Sequence, residues 1–454
     1  MVRQNSVRLI VVGYVPAQRA GFGQDTDGYY AGASTVNPWL GQRTFDPVDH
    51  VPNWKDWNPR LGVAYDMFGN GKTAFKVSVG RYVAKLGTEI PESANPISTS
   101  VTSVTRGWTD SNRNYIPDCD LGNFASNSEC AAISNQNFGK NNPLATRYDP
   151  SVLNGYGKRD YNWDFTAEVQ HELVQGVALS GGYYRNTGGY FRYSFGSSFS
   201  SKQRVTDNLL VTPADYDPYC ITAPQNPQLP GGGGYQVCGL ADINPAKFGQ
   251  VQNLVTLASN YGTFDSYNDF FNVTLDARLT HRIRLGGGMD TGRSVVDRCF
   301  VVDSAQELLN CRVVTPFKAQ TQFKLHGIVP LPGDVVASFL FQNLSGPSYD
   351  ANYSATNADI APSLGRNLAG NVQAVTIPLV PPQTLFEDRV SRLDLRLSKV
   401  FTVGRFGVRG NVDAYNVLNA NSVRSVLSTY GARWRTPTQI LDPRLVEVGG
   451  TISF

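Results

Sequence analysis

The sequence lacks any run of about 18 apolar residues, so no helix in it is built to cross a bilayer. Charge is scarce as well. Asp, Glu, Lys and Arg make up 17% of the 454 residues, against roughly 25% in an average soluble domain. The formal charges nearly cancel, at +3, and the basic residues are scattered, which argues against nucleic acid as a partner. Histidine is rare: His50, His171, His281 and His326 are all there is, none close to a cysteine in sequence. With CxxC also absent, a zinc site is not expected. No Ser-His-Asp, Cys-His or paired-carboxylate spacing stands out, so the expectation is no enzyme.

What the chain does have is 44 glycines, 22 tyrosines and 23 phenylalanines, the residues of turns, strands and interfacial belts. Period-2 alternation is clear. Phe317, Ala319, Thr321, Phe323, Leu325 and Gly327 share one face, and Lys318, Gln320, Gln322, Lys324 and His326 the other. A basic residue facing lipid near the midplane costs about 2–4 kcal/mol, so the lysine face turns inward. Arg392, Asp394 and Arg396 alternate with leucines in the same way. Short turns then join strands in pairs. Phe68–Lys72 joins 61–67 to 73–84, with Asn70-Gly71 supplying the positive φ angles of a tight hairpin; Val174–Gly176 joins 164–172 to 177–185; Thr280-His281 joins 271–279 to 283–289. Pro332-Gly333 leads into 335–342, Gly404 links 393–401 to 406–416, and 444–454 ends the chain. Between the pairs lie long polar segments at 16–57, 86–160, 188–265, 291–315, 343–389 and 417–443. With a first strand at Val7–Val15 the count is about twelve. Short turns on one side and long loops on the other predict an all-β, antiparallel transmembrane outer-membrane β-barrel with the long loops outside. The competing soluble β-sandwich or propeller fits poorly with loops of this length. Arg3 and the Leu9–Val12 run are a weak match to a signal peptide, and a strand beginning partway through a larger protein fits better.

The six cysteines form three sequence-local pairs, Cys119 with Cys130, Cys220 with Cys238 and Cys299 with Cys311, which read as disulfides of an oxidising compartment; free or metal-bound thiols are the alternative. Asp110, Asn112, Asn114, Asp118 and Asp120 place side-chain oxygens at alternate positions, the pattern a hard cation such as Ca²⁺ needs in an extracellular loop. Tyr115 and Leu121 stand where an EF-hand has glycine and glutamate, and an Asx-rich loop stapled by Cys119–Cys130 is the plainer reading. No other cofactor is expected. Gly69–Thr73 mimics the tail of a P-loop, but Asp66 occupies the first glycine position and a strand follows, so the hairpin reading wins. Gly231–Gly234 reads as a flexible loop. Tyr161, Trp163, Tyr183, Tyr184, Tyr190 and Phe191 read as an outer aromatic girdle before they read as a ligand-stacking set. Arg282, Arg284, Lys318, Lys324, Arg392, Asp394, Arg396, Arg409 and Asp413 are the expected lumen-facing residues.

The stretch Asn58–Asp66 with Gly69–Thr73 and Gly80-Arg81-Tyr82, then Leu393–Phe401, Asp413–Asn421, and Tyr430-Gly431 with Trp434 and Pro437, resembles TonB-dependent receptors in this order. The segment from Trp108 to Leu121 is similar to a loop of their Oar-like branch, which carries a carboxypeptidase-regulatory-like domain. The resemblance implies that residues 1–454 are the C-terminal portion of a barrel of about 22 strands, without plug or TonB box. It implies uptake, or export, of a large solute, with the TonB system as partner where a plug is supplied elsewhere. A smaller closed barrel acting as a passive pore, and a surface binding or adhesion module built on the stapled loops, are the alternatives. In the last strand Val446, Val448, Gly450, Ile452 and Phe454 alternate, which resembles the C-terminal signal read by the barrel-assembly machinery. Outer-membrane lipid is the remaining expected partner.

Overall fold

The structure is a computed structural model that describes residues 51–454 apart from 85–88, 94–98, 102, 109–110, 113, 115, 141, 189–203, 405 and 454, together with Val11–Val12 and Tyr29–Tyr30. Its main body is one twelve-stranded sheet. In chain order the strands are β1 (Arg60–Asp66), β2 (Thr73–Val83), β3 (Tyr161–Val174), β4 (Val177–Gly188), β5 (Asp265–Arg278) and β6 (Arg284–Asp297). They continue as β7 (Arg312–Thr315), β8 (Gln322–Leu331), β9 (Val335–Leu344), β10 (Val390–Val403), β11 (Phe406–Tyr415) and β12 (Leu445–Ser453). Each strand pairs antiparallel with the next along the path, except that β7 and β8 both pair with β6. Among the described residues β1 and β12 do not pair with each other, so the sheet is an open one.

The alternation expected from the sequence fixes the two faces. Leu61, Val63 and Tyr65 on β1 lie opposite Val79, Val77 and Phe75 on β2. The same row runs through Phe165 and Val169, Phe271, Val273 and Leu275, Phe323 and Leu325, Leu395 and Leu397, and Val412 to Val446, Val448 and Ile452 on β12. All of these are apolar, and all but the half-buried Val77 and Val79 are exposed, as the lipid face of a barrel requires. β3, β5, β6 and β10 run to 14 residues, beyond the 9–11 that a tilted span needs, so they continue above the apolar band.

Three expectations are corrected. The strand expected from Phe317 begins only at Gln322, and Phe317–Gln320 form a helical turn. Across it, residues 316–321 face only 291–293 of β6, because Pro316 has no N–H to donate to a ladder and the chain bulges out. The count of twelve holds, but the twelfth member is β7. Of the expected strand Val7–Val15, only Val11–Val12 are described, and they pair in parallel with Tyr29–Tyr30, off the large sheet. Finally, Asn70-Gly71 does not supply the positive φ angles as a pair. The left-handed residues are Gly69 and Gly71, and the loop spans Met67–Lys72. The Asp66 carboxylate decides this by accepting the Gly71 N–H at 2.7 Å and the Phe68 N–H at 3.3 Å.

The described residues of the long segments form sheets and cores of their own. Tyr216–Thr222 pairs with Gln236–Ile243, Asn352–Thr356 with Ala374–Pro378, and Val423–Val426 with Pro437–Ile440. Tyr219, Ile221, Leu229, Leu240, Ile360, Ile377 and Trp434 from these segments form one buried cluster. A smaller cluster joins Val205 and Ala258 to Phe300 and Val302. The principal hydrophobic core therefore sits in a cap over the long-loop end, as expected where the sheet itself faces lipid on one side and a polar interior on the other. Gly231–Gly234, expected to be flexible, is an ordered turn with four successive positive φ angles. A Cβ on Gly233 would lie 2.0 Å from the Pro224 carbonyl oxygen, so only glycine fits.

Candidate functional site

The face opposite the apolar rows carries the polar side chains. On β2 and β3, Lys76 donates to Gln170 at 2.7 Å and lies 4.0 Å from Glu168, and Gln170 donates to Glu168 at 2.6 Å. The Tyr184 hydroxyl reaches Glu168 at 3.3 Å, and Ser78 bonds Thr166 at 2.7 Å. Asp164 accepts the side-chain amides of Asn162, at 2.9 Å, and of Asn186. At the other end of the sheet Arg396 grips the buried Asp413 with two hydrogen bonds, one of 3.0 Å. Arg392 donates to Asp394 at 2.8 Å, and the same Asp394 oxygen accepts the Asn416 N–H at 2.8 Å. These charges are thus paired within the wall, which lowers the cost of lining an interior with them. A cavity of about 550 Å³ lies against this face, lined among others by Arg60, Ser78, Tyr82, Asp164, Tyr184 and Asn268.

Of the expected lumen-facing residues, Lys324, Arg392, Asp394, Arg396, Arg409 and Asp413 take inward positions in the register, and Arg284 does so at the foot of β6. Arg282 instead lies in the turn Thr280–Arg282, and Lys318 in the helical turn. Of the expected girdle, Tyr161, Trp163 and Tyr183 share the parity of the apolar rows, while Tyr184 faces inward because it is one residue out of step. Tyr190 and Phe191 lie outside the described residues.

Above the wall, Arg366 ties the cap together. It donates to Asp217 at 2.7 Å, to the Ile243 carbonyl at 3.0 Å and to Asp242. The three cysteine pairs are disulfides, Cys119–Cys130, Cys220–Cys238 and Cys299–Cys311, and each closes a segment on the cap side. Asp207 and Asp303 bring the smaller cluster's carboxylates together. Burial, with Asp207 and Glu307 nearby, pushes the Asp303 carboxyl up to about 6. The disulfides are the expected ones; the Arg366 ties and the Asp207–Asp303 pair were not expected. The only sequence signal for them was the short apolar stretches inside the polar segments, such as Tyr219–Ile221 and Val237–Leu240.

In the calcium candidate, the Asn112 and Asn114 side-chain amides both donate to Asp118, the latter at 2.8 Å. The Asn112 and Asn114 side-chain oxygens accept the N–H groups of Asn114 and Ile116, and Asp120 accepts that of Gly122. These are Asx turns closing on themselves. Asp110 lies outside the described residues. Among the described residues, no three His, Cys, Asp or Glu side chains are grouped so as to hold a metal. Val448, Gly450 and Ile452 lie on β12, paired with Val412, Gly410 and Val408; Phe454 is not described.

An antiparallel sheet with an apolar outer face, a hydrogen-bonded polar inner face and long structured loops at one end defines an outer-membrane β-barrel protein. The chain belongs to the outer membrane beta barrel domain family, whose sequence model matches residues 22–284, more than half of its length. Among solved structures it is similar to the outer membrane transporter YddB from Escherichia coli, at 10% identity and TM-score 0.42, over 91% of this chain and 41% of that one. It is similar to the ferripyoverdine receptor of the Pseudomonas aeruginosa outer membrane, at 8% and 0.38, over 87% of this chain and 32% of that one. It is also similar to the ferric-catecholate import receptor Fiu from E. coli K12, at 10% and 0.37, over 93% and 38%. The chain spans less than half the length of each of these proteins. No curated protein matches it.

Proposed function

We propose that this chain is the C-terminal barrel portion of a TonB-dependent receptor of the Oar-like branch, serving uptake, or export, of a large solute across the outer membrane. The supporting observation is the combination of a wall of paired charges with a cap of long loops that has a core of its own. The paired groups of such a wall offer a plug or a passing solute hydrogen bonds, and a cap with its own core can hold a binding surface in one shape. The deciding experiment is to read the DNA upstream of Met1 for an in-frame plug and TonB box, then to compare solute accumulation in cells with and without TonB. A stop codon directly upstream, or accumulation independent of TonB, would overturn the reading.

A binding role for the cap alone is the second reading, favoured by the same core. It requires that cells displaying the barrel with a disrupted cap lose a surface partner while retaining any transport. Two smaller proposals accompany the first. The Asp110–Asp120 loop takes Ca²⁺, which would have to displace the two amides from Asp118; calorimetric titration without heat at millimolar calcium removes this idea. The β12 residues Val448, Gly450 and Ile452 with Phe454 serve the barrel-assembly machinery, so deleting Phe454 should lower the amount assembled.

A further inference from the structure

Across β4, β5 and β6 the outward face carries no charge below one particular row. Reading upward from the short turns, the outward positions of β4 are Leu179, Gly181, Tyr183 and Arg185; those of β5 are Leu275, Val273, Phe271 and Asp269; those of β6 are Gly287, Met289, Thr291 and Arg293. The register sets Arg185 opposite Asp269, and Asp269 opposite Arg293. Arg185 Nη1 donates to Asp269 Oδ1 at 2.9 Å, Arg293 Nε donates to Oδ2 at 3.2 Å, and the Tyr183 hydroxyl donates to Oδ1 at 2.8 Å. Both guanidiniums also lie over the Tyr267 ring, at 4.7 and 5.8 Å, and Arg293 lies 6.0 Å from that of Phe317.

The charge count is uneven. Asp269 is 4% exposed and both its oxygens are engaged, whereas the side chains of Arg185 and Arg293 stay 40% and 43% exposed. One arginine would neutralise the carboxylate. The second leaves a net positive charge on the outward surface, and most of the guanidinium N–H groups remain available. Asp265 and Asp297 stand two outward rows higher, and Asp297 is paired with Arg312 at 3.5 Å.

Height decides what meets that charge. Arg185 is eight residues above Val177, the first residue of β4. At about 3.3 Å per residue and a tilt of about 40°, this is roughly 20 Å along the membrane normal, near the top of an apolar band about 25 Å tall. Rings level with Arg185 and one row below it support the placement, Phe165 lying opposite Arg185 and Tyr183 and Phe271 one outward row lower. Phe165, Tyr183, Phe271 and Phe317 form a chain of rings with centroids 6.2, 5.0 and 6.4 Å apart, as an interfacial girdle does. At this level a charged side chain costs only about 0–1 kcal/mol, and the groups nearest to it are lipid headgroups.

We propose that Arg185 and Arg293 form a site for the phosphate group of a lipid in the outer leaflet. The planar guanidinium matches phosphate with two parallel hydrogen bonds. Asp269 spaces the two forks, and the Tyr267 and Phe317 rings hold their planes. The site depends on the outer-membrane fold and not on the transport reading.

The test uses the full chain purified from outer membranes in detergent, offered phosphatidic acid or diacylglycerol with the same acyl chains and read by native mass spectrometry. Phosphatidic acid should be retained about tenfold better, the scale of one charge-assisted pair. Equal retention overturns the proposal. Arg185→Gln with Arg293→Gln should abolish the preference. Because that variant strands Asp269 without a partner, it is paired with the triple variant that adds Asp269→Asn. A triple variant that is folded and still prefers the phosphorylated lipid also overturns the proposal. Inorganic phosphate at millimolar concentration should leave the lipid in place; if it strips the lipid, the site reads free phosphate and the lipid assignment falls.

Discussion

The indole N–H of Trp434 donates to the backbone carbonyl of Asp350 at 2.9 Å, joining two loops 84 residues apart. Trp434 is buried and packs against Tyr349 and Tyr430, with centroids 6.2 and 5.2 Å away. It is thus where 345–389 and 416–444 become one body. Trp434→Ala should cost about 3–5 kcal/mol of local stability, as large-to-small changes in a core do. Hydrogen exchange should accelerate in both loops while β10 and β11 keep their protection. Equal loss in the strands would show that cap and sheet are a single cooperative unit.

Arg366 connects the cap in another way, holding Asp217 and Asp242 from a different loop. The two acids are not equivalent. The Asp217 side chain is half exposed, so its pair contributes little, while that of Asp242 is mostly buried and also accepts the Ala369 N–H at 3.0 Å. Asp242→Asn should therefore loosen the cap by about 1–3 kcal/mol and Asp217→Asn by well under that. Limited proteolysis of the cap, timed for both variants, checks the order; the reverse order would refute it.

These two contacts mark where sequence reading stops. The paired strands were legible because lipid on one side and polar groups on the other impose a period of two on every span, as at Leu393–Leu397. The turns were legible in place but not in form. Nothing local in Asn70-Gly71 reveals that Asp66 will claim the Gly71 N–H. The alternation at Phe317–Thr321 is genuine in sequence, yet it cannot report that the ladder on this side of β6 breaks between Ser294 and Asp290. The cysteine pairs could be read from spacing. The cap core could not, since Ile221, Ile360 and Trp434 meet only through closure of three separate loops.

The Asp303 carboxyl makes one joint pH-dependent. Its folded pKa, about 6, is raised above the ordinary 3.8, first by burial and then by Asp207 and Glu307. The folded cap therefore holds a proton that the unfolded loop would release. The stabilisation is complete below about 4 and is lost as pH rises through about 6. Asp303 also accepts the Asn208 N–H at 2.9 Å, so the contact between Arg204–Asn208 and the Cys299–Cys311 loop should be tighter at pH 5 than at pH 7.5. Hydrogen exchange at Arg204–Asn208, corrected for the intrinsic pH effect, should show this in the wild type and lose it in Asp303→Asn. A difference of the opposite sign would defeat the argument.

Gly286, Gly287 and Gly288 lie in the middle of the sheet, on β6 between β5 and β8. A Cβ at Gly287 would lie 2.5 Å from the Lys324 carbonyl oxygen and 3.0 Å from the Leu325 Cα. Both are backbone atoms, so no rotamer change relieves the clash, and Gly287→Val must push β8 away from β6. Overpacking of this kind costs about 1–3 kcal/mol in a soluble core. Here it acts on ladder hydrogen bonds that lipid cannot replace, so the penalty should fall on assembly itself. Gly449 on β12 is the matched control, because a Cβ there meets nothing within 4 Å. The fraction of each protein that keeps its folded mobility on an unheated gel should fall for Gly287→Val and hold for Gly449→Val. If both fall alike, added side-chain bulk anywhere in a strand is the cause, and the close approach of β6 and β8 is not what the glycine run serves.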